Sequence, residues 1–264
     1  MRRRPPWIAL AVVASATAVT CAGAGVGARD DRSAPAGTVA ATFTRPHAPA
    51  DTQVLRALAL PGTSLARADD PSLDVHWRPG TARPIMRLDT TNPWRQRLRL
   101  LVLDDATDED GDVWLRVQLP IWPNGQAGWV SAADVGISAA SEQIVVDLSD
   151  RRLVRFRDGE VLTDLAVAIG RASTPTPPGR YVVWAKVDTG RPSGPYGSYI
   201  LGLSGFSEAI HPSDWPGLPR LAIHGTDDPT DAGRAVSSGC VRVPNELIRQ
   251  LRDVPMGTPV VIRP

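Results

Sequence analysis

Cysteine is scarce in this chain, whose 264 residues include two, Cys21 and Cys240. Cys21 lies in an N-terminal segment that reads as a targeting signal, so cleavage of that segment would leave Cys240 alone and no intramolecular disulfide could form. A lone thiol in an oxidising compartment is either buried and inert or kept for chemistry. Cys240 stands among Ser, Gly and Arg residues rather than in an apolar run, which favours chemistry.

The chain also lacks the signatures of several function classes. Its formal net charge of +1 at pH 7 argues against nucleic acid as a partner. No glycine-rich phosphate loop of a known kind occurs, so nucleotide use is not indicated. The cysteines and the four histidines show no close ligand spacing for zinc, and we predict neither a metal nor a cofactor. We find no internal repeat and no heptad pattern.

Residues 1–28 combine three arginines with an apolar stretch and two groups of small residues. This arrangement is typical of a secretory signal peptide. The apolar core at 7–19 has 13 residues, fewer than the ~20 that a spanning helix needs. An uncleaved anchor and a lipid on Cys21 are the alternatives. We therefore expect an exported protein that contacts the membrane only through this segment, if the segment is retained or lipidated.

The next two regions differ in composition. Residues 29–50 are rich in Ala, Pro, Thr and Gly, which predicts a flexible linker. From 51 to 138 short apolar runs alternate with turn residues, as in β-strands. The sequence Pro123-Asn124-Gly125 is a strong hairpin signal. The strands predicted here are 54–60, 85–88, 97–104, 113–119 and 127–130.

Residues 141–263 again predict mainly strands. Alternating apolar residues occur at 144–148, and further candidates lie at 152–156, 161–169, 181–187 and 198–203. Asp158-Gly159 marks a hairpin turn. The clear helix of this region is 244–254, where four apolar residues share one face and Pro244 suits the first turn. The pattern predicts an all-β domain with one short helix after Cys240.

The stretch at 221–243 carries the chemistry. A short apolar strand ends at His224-Gly225, a loop of turn residues follows, and Ser237-Ser238-Gly239-Cys240 closes it. A thiol is a weak nucleophile until it loses its proton, with a free pKa of about 8.5, and an adjacent imidazole can take that proton. Either residue alone is more typical of a core. Their combination with a small, flexible Ser-Gly approach indicates catalysis.

This stretch resembles the L,D-transpeptidase (YkuD-type) catalytic domain. The family signature is His-Gly, about fourteen to sixteen residues, and then Ser-(His or Ser)-Gly-Cys-(aliphatic)-(Arg or Asn). Segments at 174–179, 194–197 and 257–262 resemble the entry turn, the approach to the lid and the closing strand of the same family. Many members carry a second His where this chain has Ser238. The resemblance covers residues 141–263 and implies a β-sandwich there.

The region before it resembles another family. The Trp114 strand, the Pro123-Asn124-Gly125 loop and the Gly128-Trp129-Val130 strand are similar to the end of a bacterial SH3-like barrel. The resemblance implies an SH3-like domain at 51–138, acting as a wall-binding module or as a spacer that positions the catalytic domain. The fold expected overall is mainly β, an SH3-like barrel followed by the L,D-transpeptidase-type sandwich.

The L,D-transpeptidase resemblance implies roles for individual residues. Cys240 is the nucleophile, His224 is its base, and the Gly225 carbonyl accepts the other imidazole N–H. The N–H groups of Cys240 and Gly239 are candidates for an oxyanion hole.

Four residues are candidates for substrate binding. By the lid position that the resemblance implies, Tyr196 either lines the donor pocket or is a buried structural tyrosine, and Ser238 and Gly239 precede the nucleophile. Arg242 either holds a substrate carboxylate or forms a structural salt bridge. His211 is expected at the surface, and the aspartates at 227, 228 and 231 are expected to serve the turn and its solvation.

The same resemblance implies a function at the bacterial cell wall. The partners are peptidoglycan stem peptides, as donor and acceptor, and a carbapenem is expected to acylate the thiol. Transfer to an amine would make the protein an L,D-transpeptidase that forms crosslinks, whereas transfer to water would make it an L,D-carboxypeptidase. A non-catalytic wall-binding protein is the competing class. The sequence does not separate the first two.

Overall fold

The computed structural model describes residues 62–210 and 219–264. The predicted signal segment, the linker at 29–50, the strand at 54–60 and His211 lie outside these residues. Within them, no helix is both long enough and apolar enough to cross a membrane.

Seven strands precede residue 141, and most strands predicted there are confirmed with small shifts of their ends. In β6 buried residues alternate with more exposed ones, which is the period-two pattern of a strand with one covered face. β5 follows this pattern except that Trp114 and Leu115 are both buried. The Pro123-Asn124-Gly125 turn joins these two strands as an antiparallel hairpin. The strands are β1 (Ser64–Ala68), β2 (Ser72–Val75), β3 (Met86–Asp89), β4 (Leu100–Thr107), β5 (Val113–Gln118), β6 (Ala127–Ser131) and β7 (Val135–Ala139).

These strands form a five-stranded antiparallel sheet in the order β6-β5-β4-β1-β7, and β2 and β3 pair beside it. His76, directly after β2, exchanges two backbone hydrogen bonds with Trp129 of β6, which ties the β2–β3 hairpin to the sheet. Buried Val75, Leu115, Val117 and Val130 belong to one apolar core. The mainly β character is thus confirmed here, while the SH3-like assignment stays a prediction.

The second part of the chain adds ten strands and one short α-helix among the described residues. The helix α1 covers Asn245–Ile248 and continues as a 3-10 turn at Arg249–Leu251, so it is shorter than predicted. Pro244 has an extended backbone, and Pro255 disfavours helix for the residue before it. The strands are β8 (Glu142–Asp147), β9 (Arg152–Arg157), β10 (Glu160–Ala166), β11 (Ile169–Gly170), β12 (Gly179–Asp188), β13 (Tyr199–Phe206), β14 (Arg220–Thr226), β15 (Ala235–Ser237), β16 (Val241–Pro244) and β17 (Pro259–Arg263).

Eight of these strands follow one hydrogen-bonded order, β10-β9-β8-β17-β12-β13-β14-β16, and β11 pairs with β15. The ten-residue β12 lies in the middle and changes partner along its length. Its residues 179–182 pair with β17, and its residues 183–188 pair with β13 across a register shift. A strand that passes from one sheet to another through such an irregularity forms the corner of a sandwich. Apolar residues of both halves share one core.

Polar side chains of the first part bind backbone groups of the second. The Asn92 amide donates to the Trp184 carbonyl at 2.8 Å. Gln96 donates to the Lys186 carbonyl at 2.7 Å and accepts from the Lys186 N–H at 3.0 Å. Asn124 makes the same two-way contact with Phe206, at 2.8 Å in each direction. Each amide thus satisfies backbone groups of β12 or β13, as a neighbouring strand would.

Candidate active site

Two adjacent parallel strands deliver the predicted catalytic residues. β14 and β16 pair in parallel, with Ile223 opposite Val241 and His224 opposite Arg242. Cys240 directly precedes β16, so the pairing places it beside the strand that carries His224. Ile223 and Val241 are fully buried and anchor this register in the core. The fifteen residues between His224 and Cys240 are thereby closed into one loop beside the site.

The His224 ring is held by the backbone of the next residue. Its Nδ1 lies 2.8 Å from the Gly225 carbonyl oxygen, and the residue is 3% exposed. Because a carbonyl only accepts, Nδ1 carries the proton in the neutral ring, and the lone pair is on Nε2. The contact predicted for Gly225 is therefore present in the structure, with a backbone carbonyl in the position that an aspartate holds in other triads.

Close packing explains why residue 225 is glycine. A Cβ there would lie 2.3 Å from the Asn245 Oδ1. Asn245, the first residue of α1, accepts from the Ser198 N–H at 2.8 Å and donates to the Pro192 carbonyl at 2.7 Å. It thus ties the segment that contains Tyr196 to the helix. Asn245 was not among the predicted site residues, although its place directly after Pro244 at a predicted helix start was a signal for a polar contact.

Burial lowers the pKa of His224 to about 4, an effect that the Arg242 charge increases and the backbone contacts to Gly225 and Tyr196 oppose. Burial also raises the pKa of the half-buried Cys240 thiol, against the smaller opposing effects of the Ala222 backbone and the Arg242 charge. The two shifts disfavour a preformed thiolate–imidazolium pair. At pH 7 the free site therefore holds a neutral thiol and a neutral imidazole that can accept a proton.

The loop before the nucleophile is ordered by Ser237. Its hydroxyl donates to the Cys240 carbonyl and accepts from the Gly239 N–H at 3.1 Å. Gly239 has a φ of +116°, a conformation that only glycine adopts readily. Because its N–H is already bound to Ser237, Gly239 does not supply the free oxyanion donor that the sequence predicted. The Cys240 N–H is the one of the two candidates that remains.

The predicted substrate residues surround this pair to different degrees. The Tyr196 ring packs edge-on against the His224 ring, with centroids 5.2 Å apart. Ser238 is exposed and lines the same groove. Burial raises the pKa of the Tyr196 hydroxyl, as does the nearby Cys240. At pH 7 this phenol is therefore neutral and can donate a hydrogen bond.

Arg242 forms a structural salt bridge, which was one of the two roles predicted for it. Its Nη1 donates to the Asp231 Oδ2 at 3.0 Å. Asp231 is buried and also accepts from the Thr226 hydroxyl at 3.4 Å, so it does more than solvate the loop. Asp228, by contrast, caps the 3-10 turn at Pro229–Asp231, as expected of a turn residue. Arg242 lines the groove as well, and its role toward substrate stays a prediction.

An open groove of about 650 Å³, partly shared with solvent, joins these residues. Cys240 and His224 line it on one side, and Tyr196, Ser238 and Arg242 contribute further walls. Its other side is built by the end of β13 and the start of β14, at Ser207 and at residues 219–221. No sequence motif pointed to Ser207.

The part of the chain that contains this groove has sequence relatives. Residues 141–262 match the family model of the YkuD L,D-transpeptidase catalytic domain. The YkuD protein of Bacillus licheniformis is 33% identical over 123 residues, 46% of this chain and 66% of that protein. The YkuD protein of Bacillus subtilis is 29% identical over 147 residues, 53% of this chain and 80% of that protein. Both carry a provisional L,D-transpeptidase assignment, and the match spans just under two thirds of the first.

Solved L,D-transpeptidases are also similar to this chain. The catalytic domain of the E. faecium enzyme acylated by ertapenem is 26% identical over 47% of this chain and 98% of that chain, with a TM-score of 0.35. L,D-transpeptidase 3 of Mycobacterium tuberculosis is 17% identical over 58% of this chain and 92% of that chain, with a TM-score of 0.38. Since these TM-scores are low, the assignment depends on the family model and the sequence relatives. On that basis, residues 141–262 are similar to the L,D-transpeptidase catalytic domain of the YkuD type.

Proposed function

We propose that the protein is a peptidoglycan L,D-transpeptidase in which Cys240 is the nucleophile and His224 its base. The observation that carries the proposal is the groove that Cys240 and His224 line together, inside a domain of this family. A partly exposed cysteine beside a buried imidazole with a free Nε2 is the arrangement that nucleophilic catalysis requires.

The first half of the reaction forms a thioester. As Nε2 of His224 takes the thiol proton, the Cys240 sulfur attacks the carbonyl carbon before the terminal D-alanine of a tetrapeptide stem. The carbonyl oxygen becomes an oxyanion, which the Cys240 N–H can bind. When the intermediate collapses, the carbon–nitrogen bond breaks, the nitrogen takes the proton from His224, and D-alanine leaves.

The second half consumes the thioester. An amine from a neighbouring stem attacks the acyl carbon and loses a proton to His224, and the Cys240 sulfur leaves and regains a proton. The product is a crosslink between two stems. Water in place of the amine gives an L,D-carboxypeptidase, which is the second candidate. Splitting one amide exchange into two steps is the gain from a covalent nucleophile.

The neutral resting pair suits this sequence of steps. A thiol with a raised pKa beside an imidazole with a pKa of about 4 avoids a standing thiolate, which oxidises readily outside the cytoplasm. Proton transfer then accompanies attack on a bound carbonyl. Tyr196, Ser238 and Gly239 would contact the stem, and Arg242 would place a positive charge near its carboxylates.

The remaining parts of the chain fit export and work at the wall. The segment at 1–28 would direct the protein across the membrane, and 29–50 would tether it. The region at 51–138 would serve as an SH3-like module that binds the wall or positions the catalytic domain. If the catalytic domain were a degenerate scaffold, the protein would instead be a wall binder without activity.

Intact-mass spectrometry after incubation with ertapenem tests the proposal. We expect the wild-type chain to gain the mass of one opened β-lactam, because the sulfur bonds to the lactam carbonyl and no group leaves. Cys240→Ser should keep its mass. A disaccharide-tetrapeptide then distinguishes the candidates, since dimer with released D-alanine indicates a transpeptidase and tripeptide alone a carboxypeptidase. An unchanged wild-type mass with both probes would overturn the proposal.

A further inference from the structure

The groove contains a buried hydroxyl that the chain itself does not use. Ser207, directly after β13, is 3% exposed, and its Oγ has no hydrogen-bond partner among the described residues. Its backbone is fixed, because its N–H donates to the Pro219 carbonyl at 2.8 Å. A buried polar group without a partner is uncommon and costs stability. Ser207 lines the groove that holds Cys240, so a bound molecule can complete its hydrogen bonding.

The Ser207 hydroxyl lies close to the loop that precedes Cys240. The Ser207 Oγ lies 3.5 Å from the point where a Cβ on Gly239 would be. The side of Gly239 on which any other residue would carry its Cβ therefore faces Ser207. A Cβ at 239 would be in ordinary van der Waals contact with this hydroxyl, so the cost of a side chain there comes from the φ of +116°. The space between the two residues lies beside the Cys240 backbone.

Few backbone N–H groups next to Cys240 are available to bind a developing oxyanion. The Gly239 N–H is bound to the Ser237 Oγ at 3.1 Å, which leaves the Cys240 N–H of the two backbone donors considered. Oxyanion holes generally use more than one donor, from backbone N–H groups or side chains such as Ser. Ser207 offers an O–H in the same groove that no acceptor of the described chain occupies.

We propose that the Ser207 hydroxyl is a catalytic donor, which with the Cys240 N–H binds the oxygen of the carbonyl under attack. The inference rests on the proposed acyl transfer at Cys240. As the sulfur–carbon bond forms and the carbonyl π electrons move to oxygen, the O–H and N–H donate to that oxygen. On collapse the carbonyl re-forms and both donors are released, so Ser207 gains and loses no proton.

The first part of the chain holds this donor in place. Asn124 binds both the N–H and the carbonyl of Phe206, each at 2.8 Å, and Phe206 directly precedes Ser207. With the Pro219 contact, the backbone is restrained at Phe206 and at the N–H of Ser207. A donor that is fixed before substrate arrives needs no reorganisation during the reaction, which is the property that makes oxyanion holes effective.

Two reagents that react with the same sulfur test the role of Ser207. Ertapenem acylates through an oxyanion, whereas iodoacetamide alkylates by displacing iodide from carbon and forms none. For Ser207→Ala we expect the second-order rate of acylation to fall by about 10²-fold, the order found when one such donor is removed. The alkylation rate at the same pH should stay within about twofold of wild type. Ser173→Ala, at an exposed serine outside the groove, is the matched control and should change neither rate.

Each other result has a definite meaning. Equal acylation of Ser207→Ala and wild type would overturn the inference alone. A parallel fall of acylation and alkylation would also overturn it, because Ser207 would then support the fold around Cys240 rather than the oxyanion. A wild-type chain that neither ertapenem nor the disaccharide-tetrapeptide acylates would overturn the proposed function and this inference with it.

Discussion

The two parts of the described chain treat polar groups differently. In the first part, the Arg87–Asp74 ion pair lies at the surface, with side chains 66% and 36% exposed. In the second part, the Arg155–Glu142 pair is inside the protein, with side chains 2% and 3% exposed. Burying charge costs free energy unless partners compensate it. The second part therefore carries a cost that the first part avoids.

The two buried histidines of the described residues, one in each part, differ in their surroundings. His76 packs edge-on against Trp114 with ring centroids 5.0 Å apart, and its backbone continues the sheet. His224 faces a groove that also holds a cysteine. Burial alone is thus no sign of catalysis. A polar group becomes a candidate when an open space and a reactive partner accompany it.

The largest expected effect is that of His224→Ala on acylation by ertapenem. General base catalysis typically contributes 10² to 10⁴-fold, and we expect a fall of about 10³-fold at pH 7. His76→Ala is the matched control and should leave the acylation rate of the folded protein unchanged. Both rates can be measured by intact-mass spectrometry over time.

The pH dependence sharpens this test. Without the imidazole, the thiol must ionise by itself, and its pKa is raised by burial. The loss in His224→Ala should therefore shrink as the pH increases above 7. Full acylation of this variant at neutral pH would show that another group is the base.

The next effect concerns the buried and the exposed ion pairs. Glu142→Gln removes a charge that Arg155 binds at 2.8 Å and Arg157 at 2.6 Å. Because Arg155 keeps one contact to Asp253, we expect the free energy of unfolding to fall by about 3 kcal/mol, the lower end for a broken buried pair. Asp74→Asn in the first part should leave the urea midpoint unchanged. Equal effects of the two substitutions would remove the distinction between the two parts.

Sequence patterns located the strands and the reactive pair because these depend on local information. Period-two alternation identified β5 and β8, and the family motif brought His224 and Cys240 together. The Gly225 carbonyl contact also followed from the resemblance. Each of these features involves residues that are neighbours in sequence or in one recurring motif.

Features that depend on the closing of the fold escaped prediction. Asp231 binds Arg242 across the motif loop, and Asn245 reaches back to Ser198 and Pro192. The Gly239 N–H was a candidate for the oxyanion hole, and its contact with Ser237, which is local and spans two residues, was missed. Ser207 lies far from the motif in sequence and has no distinctive neighbours. Such contacts are set by sheet order, which single residues do not encode.

The smallest expected effect tests whether the two parts act together. Asn124→Ala leaves the N–H and carbonyl of Phe206 without their side-chain partners, which costs about 1–2 kcal/mol for partly buried groups. If Asn124 positions the end of β13, acylation by ertapenem should also fall, by about threefold to tenfold, because a misplaced donor weakens oxyanion binding. Gln126→Ala, an exposed change on the same hairpin, should alter neither quantity. Reduced stability with unchanged acylation would mean that the first part stabilises residues 141–262 without shaping the groove. The first part would then have a purely structural role.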